Sequence, residues 1–521
     1  MLKTSGFRWA LVALALGCLP AGAVADPEQI IAASCGGCHA PKQGEGWTRI
    51  SVQRKTPEGW QMTIARMQMA HKAQIVDPDG GDAAAARRTL VKYLSDKHGL
   101  APAETADYRY ILEQELNTIE EHPLEEFRQM CARCHSGARV ALQRRTEEEW
   151  RNLVHFHLGQ YPTTEYQMMG RDRDWKGKAL DQMVAFLTEY YPLESDAWGA
   201  WAAARHPGLG GRWRVVGSMP GRGDFSGVMT ASGGEDDRYG LELSGSFTDG
   251  SVLAGTGNAI VYTGYEWRAS LDIDGVKYRQ VMAASADGNE LSGRMFQREH
   301  SERGLRLQAS REGEHPHLLA VQPSHLQAGS EAELRIVGSS LEGEVVFGGG
   351  LQVAEIISRN ADEIRLRVAS PAGAGEGSVQ VIVGGASLEG GLTLYRAIDR
   401  LTVEPEFAIA RVGGDGGSQP VVQALFDAVA WTNGADGEAG TADDLRVGPV
   451  AASWSVEPWD QKAESDEDVR FAGQMDKDTG VFTPAAAGPN PERKYQTNNA
   501  GNLRVLASAG EGEGAVRGAA L

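Results

Sequence analysis

The chain has 521 residues, which at roughly 100 to 200 residues per domain calls for about three to five separately packed units. Its composition, 41% hydrophobic and 23% charged, excludes a mostly disordered or fibrous protein. A net charge of −19 with no long Lys/Arg run argues against nucleic-acid binding, and 65 glycines predict many turns and short strands.

The N-terminus reads as an export signal, with Lys3 and Arg8 ahead of an apolar stretch from Trp9 to Leu19 and a small-residue cleavage site at Ala23-Val24-Ala25. Residues 1–25 are therefore expected to be removed and the mature chain to begin at Asp26. The apolar stretch falls short of the roughly 20 residues needed to span a bilayer. A lipid anchor on Cys18 is the weaker reading, because Ala15 stands where such sites usually carry Leu.

Once Cys18 has left with the signal, the remaining cysteines are Cys35, Cys38, Cys131 and Cys134. They form Cys35-Gly36-Gly37-Cys38-His39 and Cys131-Ala132-Arg133-Cys134-His135, two copies of the pattern that attaches haem c. Two thiols add to the two vinyl groups of one porphyrin, and the adjacent histidine turns under the ring to ligate iron. A disulfide, a thiol redox pair or a zinc site would each need a histidine to follow the second cysteine by coincidence, twice.

The segments after the two motifs repeat each other. Residues 49–60 lie over residues 139–150 at a constant offset of 90, with Arg, Gln, Arg, Thr, Glu and Trp in register. Thr56 and Thr146 read as helix N-caps, followed by acidic first turns and then Trp60 and Trp150 opening an apolar face. Later, Leu90–Leu94 resembles Met183–Leu187, so each unit has a haem motif, a middle helix and a C-terminal helix.

An electron-transfer haem wants a second axial ligand, His or Met. At the same offset Met67 superposes on His157, each seven residues after its tryptophan, or about two helical turns along one face. The expected pairs are His39 with Met67 and His135 with His157. The competing positions are Met62, Met69, His71 and His98 in the first unit, and His155, Met168, Met169 and Met183 in the second. Thioether sulfur stabilises Fe(II) relative to imidazole, so the first haem is expected to have the higher potential. Arg49 and Arg139 are candidates to pair with haem propionates, although plain surface charge explains their recurrence nearly as well.

From Gly211 onward the pattern becomes short alternating runs, such as those starting at Leu241 and Leu305, broken by Asp249-Gly250, Asp274-Gly275 and Asp287-Gly288. This predicts a small antiparallel barrel or sandwich. Runs at 334–338, 364–368 and 379–383 read as an immunoglobulin-like sandwich. Leu401–Pro405 and Ala452–Val456 open a second. Its acidic loop 436–444 misses the EF-hand spacing and reads as a solvated turn, and the tail 510–521 shows no strand pattern and is expected to fray. This half carries no nucleophile elbow, H-E-x-x-H pair or phosphate loop, and so reads as scaffold.

The predicted fold class is multidomain. An N-terminal all-α dihaem cytochrome c domain at 26–195, in tandem units at about 26–105 and 106–195, is followed by all-β domains. These are an antiparallel barrel at 196–312 and immunoglobulin-like sandwiches at 313–397 and 398–521.

Two haem motifs with the W-x₆-[M/H] helix, followed by a β domain and two immunoglobulin-like domains, resemble the large α subunit of quinohemoprotein amine dehydrogenase. The resemblance spans nearly the whole mature chain. It implies two covalently bound haems c, attached through Cys35, Cys38, Cys131 and Cys134, with His39, Met67, His135 and His157 as iron ligands. It implies a β-propeller β subunit and a small γ subunit carrying cysteine tryptophylquinone, in a periplasmic complex that oxidises primary amines. Electrons would pass through the α-subunit haems to a blue copper protein or a cytochrome c. A final hydrophobic strand expected after Asn502–Leu506 is not evident in 515–521. The alternatives are a self-contained dihaem enzyme such as a peroxidase, which needs one open or labile iron, or a dihaem carrier serving another dehydrogenase.

Overall fold

The structure is a computed structural model and describes residues 25–44, 46–313, 315–413, 420–510 and 515–521. The export-signal reading, apart from Ala25, lies outside the described residues. The chain divides into two compact units, one ending at His98 and the other running from Gly99 to Leu521.

Among its described residues the first unit holds three helices: α1 (Pro27–Cys35), α2 (Pro57–His71) and α3 (Ala83–Lys97). Asp26 caps α1 by accepting from the Glu28 amide at 2.9 Å. Thr56 caps α2 by accepting from the Gly59 amide at 3.3 Å, with Pro57 preset for the first turn. Ile30, Ile31, Trp60, Ile64, Leu90, Val91 and Leu94 are buried and make the core. The Trp60 indole donates to the carbonyl of His98, the residue that closes α3, at 3.0 Å. Truncating a tryptophan buried in this way to Ala typically costs about 3–5 kcal/mol.

His98 is half-buried with its ring 6.3 Å from that of Trp60, and partial burial pushes its imidazole pKa from the ordinary 6.5 down to about 4, with Lys97 adding to the effect. The unfolded chain takes up a proton that the folded one refuses. The stability tied to neutral His98 is therefore complete above pH 6.5 and is lost as pH falls through about 4. Protection factors of the α2 and α3 amides, taken relative to the intrinsic exchange rate at each pH, should fall across that window and should do so less in His98→Gln, which keeps the carbonyl that Trp60 needs. An equal fall in both proteins would refute the assignment.

The helical part of the second unit repeats this plan with α4 (Glu125–Met130), α5 (Glu147–Gln160) and α6 (Val184–Tyr190), the last entered through a π-helical turn at Ala179–Met183. Thr146 caps α5 by accepting from the Glu149 amide at 3.3 Å. Trp150 is fully buried and its indole donates to the carbonyl of Tyr191, the closing residue of α6, at 3.3 Å. A further helix, α7 (Asp196–Ala203), leads into the β region, and Trp201 donates to the Thr263 carbonyl at 2.8 Å while packing on the barrel core.

Eight antiparallel strands follow: β1 (Gly211–Met219), β2 (Gly223–Gly233), β3 (Arg238–Phe247), β4 (Val252–Tyr262), β5 (Glu266–Ile273), β6 (Val276–Ala284), β7 (Glu290–Gln297) and β8 (Gly304–Arg311). Each pairs with the next, and β8 pairs with β1 from Arg306↔Ser218 to Arg311↔Trp213, so the sheet is a closed barrel and not an open sandwich. Trp213, Phe225, Met229, Tyr265, Trp267 and Met295 fill its interior, as eight strands allow. Gly250, Gly275 and Gly288 take φ of 83°, 81° and 69° at the predicted turns. Other glycines sit inside strands. Gly227 pairs with Gly245 across β2 and β3, where a Cβ on either would lie within 2.5 Å of the facing strand's carbonyl.

Residues 317–395 form two four-stranded sheets around one core. The alternation read from the sequence is realised in the strand Glu363–Ala369. Its Ile364, Leu366 and Val368 are buried, while Arg365 and Arg367 face outward and pair with Glu333, Glu331 and Glu355. The described residues of the last segment form three three-stranded sheets with Phe426, Trp454 and Phe482 in the core.

The tail corrects the expectation of fraying. Val516–Ala520 is a strand paired with Leu503–Ala509, and the Leu521 amide donates to the Glu406 carbonyl at 2.9 Å. Small residues are required there, because a Cβ at Gly518 would lie 2.7 Å from the Leu401 carbonyl. No helix among the described residues is long and apolar enough to cross a membrane.

Candidate haem sites

In each unit the first cysteine of the motif sits at the end of a helix whose packing fixes it. Cys35 is the last residue of α1, four after buried Ile31, and Cys131 follows α4, four after buried Phe127. All four thiols are free. Cys38 and Cys134 are exposed, whereas Cys35 and Cys131 are half-buried. Burial raises the Cys35 thiol pKa and pushes that of Cys131 up to about 12.

Three histidines share one hydrogen-bond pattern. His39 Nδ1 donates to the Thr48 carbonyl at 2.9 Å, His135 Nδ1 to the Ser136 carbonyl at 3.0 Å, and His157 Nδ1 to the Leu153 carbonyl at 2.8 Å. With the proton on Nδ1, the Nε2 lone pair is the one left for a metal, and the bonded carbonyl both orients the ring and raises its basicity. Free cysteine pairs, accessible second thiols and histidines bonded in this way fit covalent haem c.

Along the middle helices the register of the repeat becomes geometry. Trp60 and Ile64 are buried and Met67 is half-buried on the same face of α2, as Trp150, Val154 and His157 are on α5. The competitors fall elsewhere. Met62 is 45% exposed and Met69 72%, His71 and His155 are exposed, and His98 closes α3 with its ring against that of Trp60. Met168 and Met169 are 94% and 97% exposed at the tip of a tight hairpin, and Met183 is buried in the core of the second helical part.

The repeat also extends to features not read from the sequence. The Gln53 and Gln143 amides donate to the carbonyls of Arg49 and Arg139 at 2.5 and 2.6 Å, fixing the chain just before each middle helix. Lys55 lies 5.1 Å over the Trp60 ring and Arg145 5.5 Å over the Trp150 ring. Arg49 and Arg139 are both exposed and so are accessible to a carboxylate. The acceptors of the two motif histidines, Thr48 and Ser136, were not anticipated. They stand nine residues and one residue beyond their histidines, so no shared spacing marks them.

In the acidic loop 436–444 the carboxylates are already engaged. Asp443 accepts from the Ala435 amide at 2.7 Å and Asp444 pairs with Arg400 at 2.6 Å, as a solvated turn requires. Among the described residues no group of three or more His, Cys, Asp or Glu side chains is arranged to hold a metal ion.

Four family models match consecutive stretches of the chain. They are the haem-binding region of the quinohemoprotein amine dehydrogenase alpha subunit at 25–198, its domain II at 206–312, domain III at 315–396 and domain IV at 401–521. Comparison with curated proteins returns no match. Among solved structures, a de novo designed fluorescence-activating beta barrel is 17% identical, covering 20% of this chain and 93% of that one with a TM-score of 0.17. The Bacteroides ovatus mixed-linkage glucan utilization protein SGBP-B is 11% identical, covering 59% and 57% with a TM-score of 0.19. Likeness at this level carries no functional weight.

Proposed function

Because the chain belongs to the alpha-subunit family of quinohemoprotein amine dehydrogenase, a multi-subunit oxidoreductase, we propose that it is the electron-transfer subunit, holding two covalent haems c. Cys35 and Cys38 attach the first, with His39 and Met67 as iron ligands; Cys131 and Cys134 attach the second, with His135 and His157. Bound there, each haem supplies a one-electron Fe(III)/Fe(II) couple. The protein's part is to fix the ligands, through the three Nδ1 bonds to backbone carbonyls, and to keep each middle helix in place through Trp60 and Trp150.

The amine chemistry is assigned to a cysteine tryptophylquinone on a small γ subunit, held with this chain and a β-propeller β subunit in the periplasm. A small copper protein or cytochrome c is the acceptor. The two-sheet unit at 317–395 is taken as an immunoglobulin-like sandwich, and the last segment as a second, more broken one.

The observation that carries this reading is the shared Nδ1 geometry of His39, His135 and His157. A peroxidase would instead need one iron with a labile sixth position. Met67 and His157, half-buried on matching helix faces, favour two six-coordinate irons.

The ligand asymmetry is testable by absorption spectroscopy of the exported, oxidised protein. Met67→Ala should abolish the far-red methionine-to-iron charge-transfer band and lower the potential of the first haem, while His157→Ala should leave the band in place. Survival of the band in Met67→Ala would transfer the ligand role to Met62 or Met69.

A further inference from the structure

We propose that Glu120 is a positioning residue for the second haem, acting through a single peptide plane on the proximal ligand His135; this rests on the dihaem reading above. The Ser136 carbonyl accepts from His135 Nδ1 at 3.0 Å, and the other end of that same peptide, the Gly137 amide, donates to Glu120 Oε2 at 2.7 Å. Because the peptide unit is planar, fixing its N–H also fixes the direction of its C=O. Glu120 additionally accepts from the Ser136 hydroxyl and, at 2.9 Å, from the Tyr110 hydroxyl, and His122 Nε2 stands 3.4 Å from it. Partial burial works to raise the Glu120 pKa, but these hydrogen bonds outweigh it and hold the carboxyl below its usual range.

Crowding locks the arrangement. A Cβ at Gly137 would lie 2.6 Å from the His122 ring and 3.0 Å from that of Phe127, so the amide can approach Glu120 only because residue 137 is glycine.

The first unit has a looser counterpart. Glu28 accepts from the Trp47 indole at 2.7 Å, from Lys97 at 3.0 Å and from the Tyr93 hydroxyl. It holds the side chain one residue before Thr48, whose carbonyl serves His39, and so reaches that carbonyl across a rotatable backbone and not through one rigid plane.

A firmly held Nδ1–H···O=C bond makes imidazole a stronger donor and favours Fe(III). Slackening it should raise the potential of the second haem alone. Removing a negative charge would raise that potential too, so the discriminating variant keeps the charge. Glu120→Asp withdraws the carboxylate by one methylene, about 1.5 Å, whereas Glu120→Gln removes the charge.

The experiment is redox titration of the full-length exported protein, with electron paramagnetic resonance of each oxidised haem and a mass spectrum for covalent loading. The inference expects Glu120→Asp and Glu120→Gln to load two haems, to shift the second potential upward, to change the g-values of the second haem, and to leave the first haem unmoved. Glu28→Gln should leave the second haem unmoved. An effect of Glu120→Gln with none of Glu120→Asp would reduce Glu120 to a point charge and overturn the inference. Haem loss or equal shifts in both haems would show a merely structural role and overturn it as well. A wild-type protein without haem on Cys131 and Cys134 would instead defeat the functional reading on which the inference rests.

Discussion

The double substitution Cys131→Ala/Cys134→Ala should yield an exported protein lighter than wild type by one whole haem, with the far-red methionine band of the remaining haem intact. Each porphyrin is held by two thioether bonds drawn from one motif, so removing both thiols of a motif removes its only covalent anchors. The two motifs sit in separate compact units, each with its own helix before the cysteines and its own tryptophan-bearing middle helix, so losing one attachment should leave the other formed. The reciprocal pair, Cys35→Ala/Cys38→Ala, should also leave one haem, but without the methionine band. A wild-type mass exceeding the apoprotein by fewer than two haems would sink the reading of both units. So would a Cys131→Ala/Cys134→Ala protein that still carried two.

What could be read from the sequence followed from how local the chemistry is. Haem attachment demands contiguous residues, so Cys35 to His39 and Cys131 to His135 are visible without any fold. The middle helices were legible because a cap, an acidic turn and a buried tryptophan are local too, and because two copies could be laid over each other. That register singled out Met67 and His157, and burial along α2 and α5 sets the same two side chains apart from Met69 and His155.

What was missed depends on backbone atoms or on residues far apart in the chain. Ser136 and Thr48 orient the motif histidines through backbone carbonyls, which any residue type supplies. Glu120 joins Tyr110, Ser136 and Gly137 through contacts that no periodicity records. The last strand escaped notice because Gly518 must be small to pass Leu401, and Val-Arg-Gly-Ala-Ala offers a single β-branched residue. The glycines of β2 and β3 carry no mark in the sequence of why they are there: close approach of backbones, and not turning, is what requires them.

Purified alone and loaded with haem, this chain should take electrons from a chemical reductant and pass them to a small redox protein, yet show no amine-dependent turnover. Amine oxidation by cysteine tryptophylquinone needs a cysteine free to cross-link to a tryptophan. The chain has 12 Trp, but its four cysteines beyond the export segment are all claimed by the two haem motifs. An iron whose two axial positions are both filled by protein side chains offers an amine no place to bind, so the residues assigned here can move electrons without performing the bond chemistry. Adding the quinone-bearing partner and the propeller subunit should restore turnover, and the double cysteine variants should interrupt it even when both partners are present. Turnover by the isolated chain at rates typical of enzymes, on the order of 1 per second or faster, would overturn the subunit reading and make the chain an enzyme in its own right.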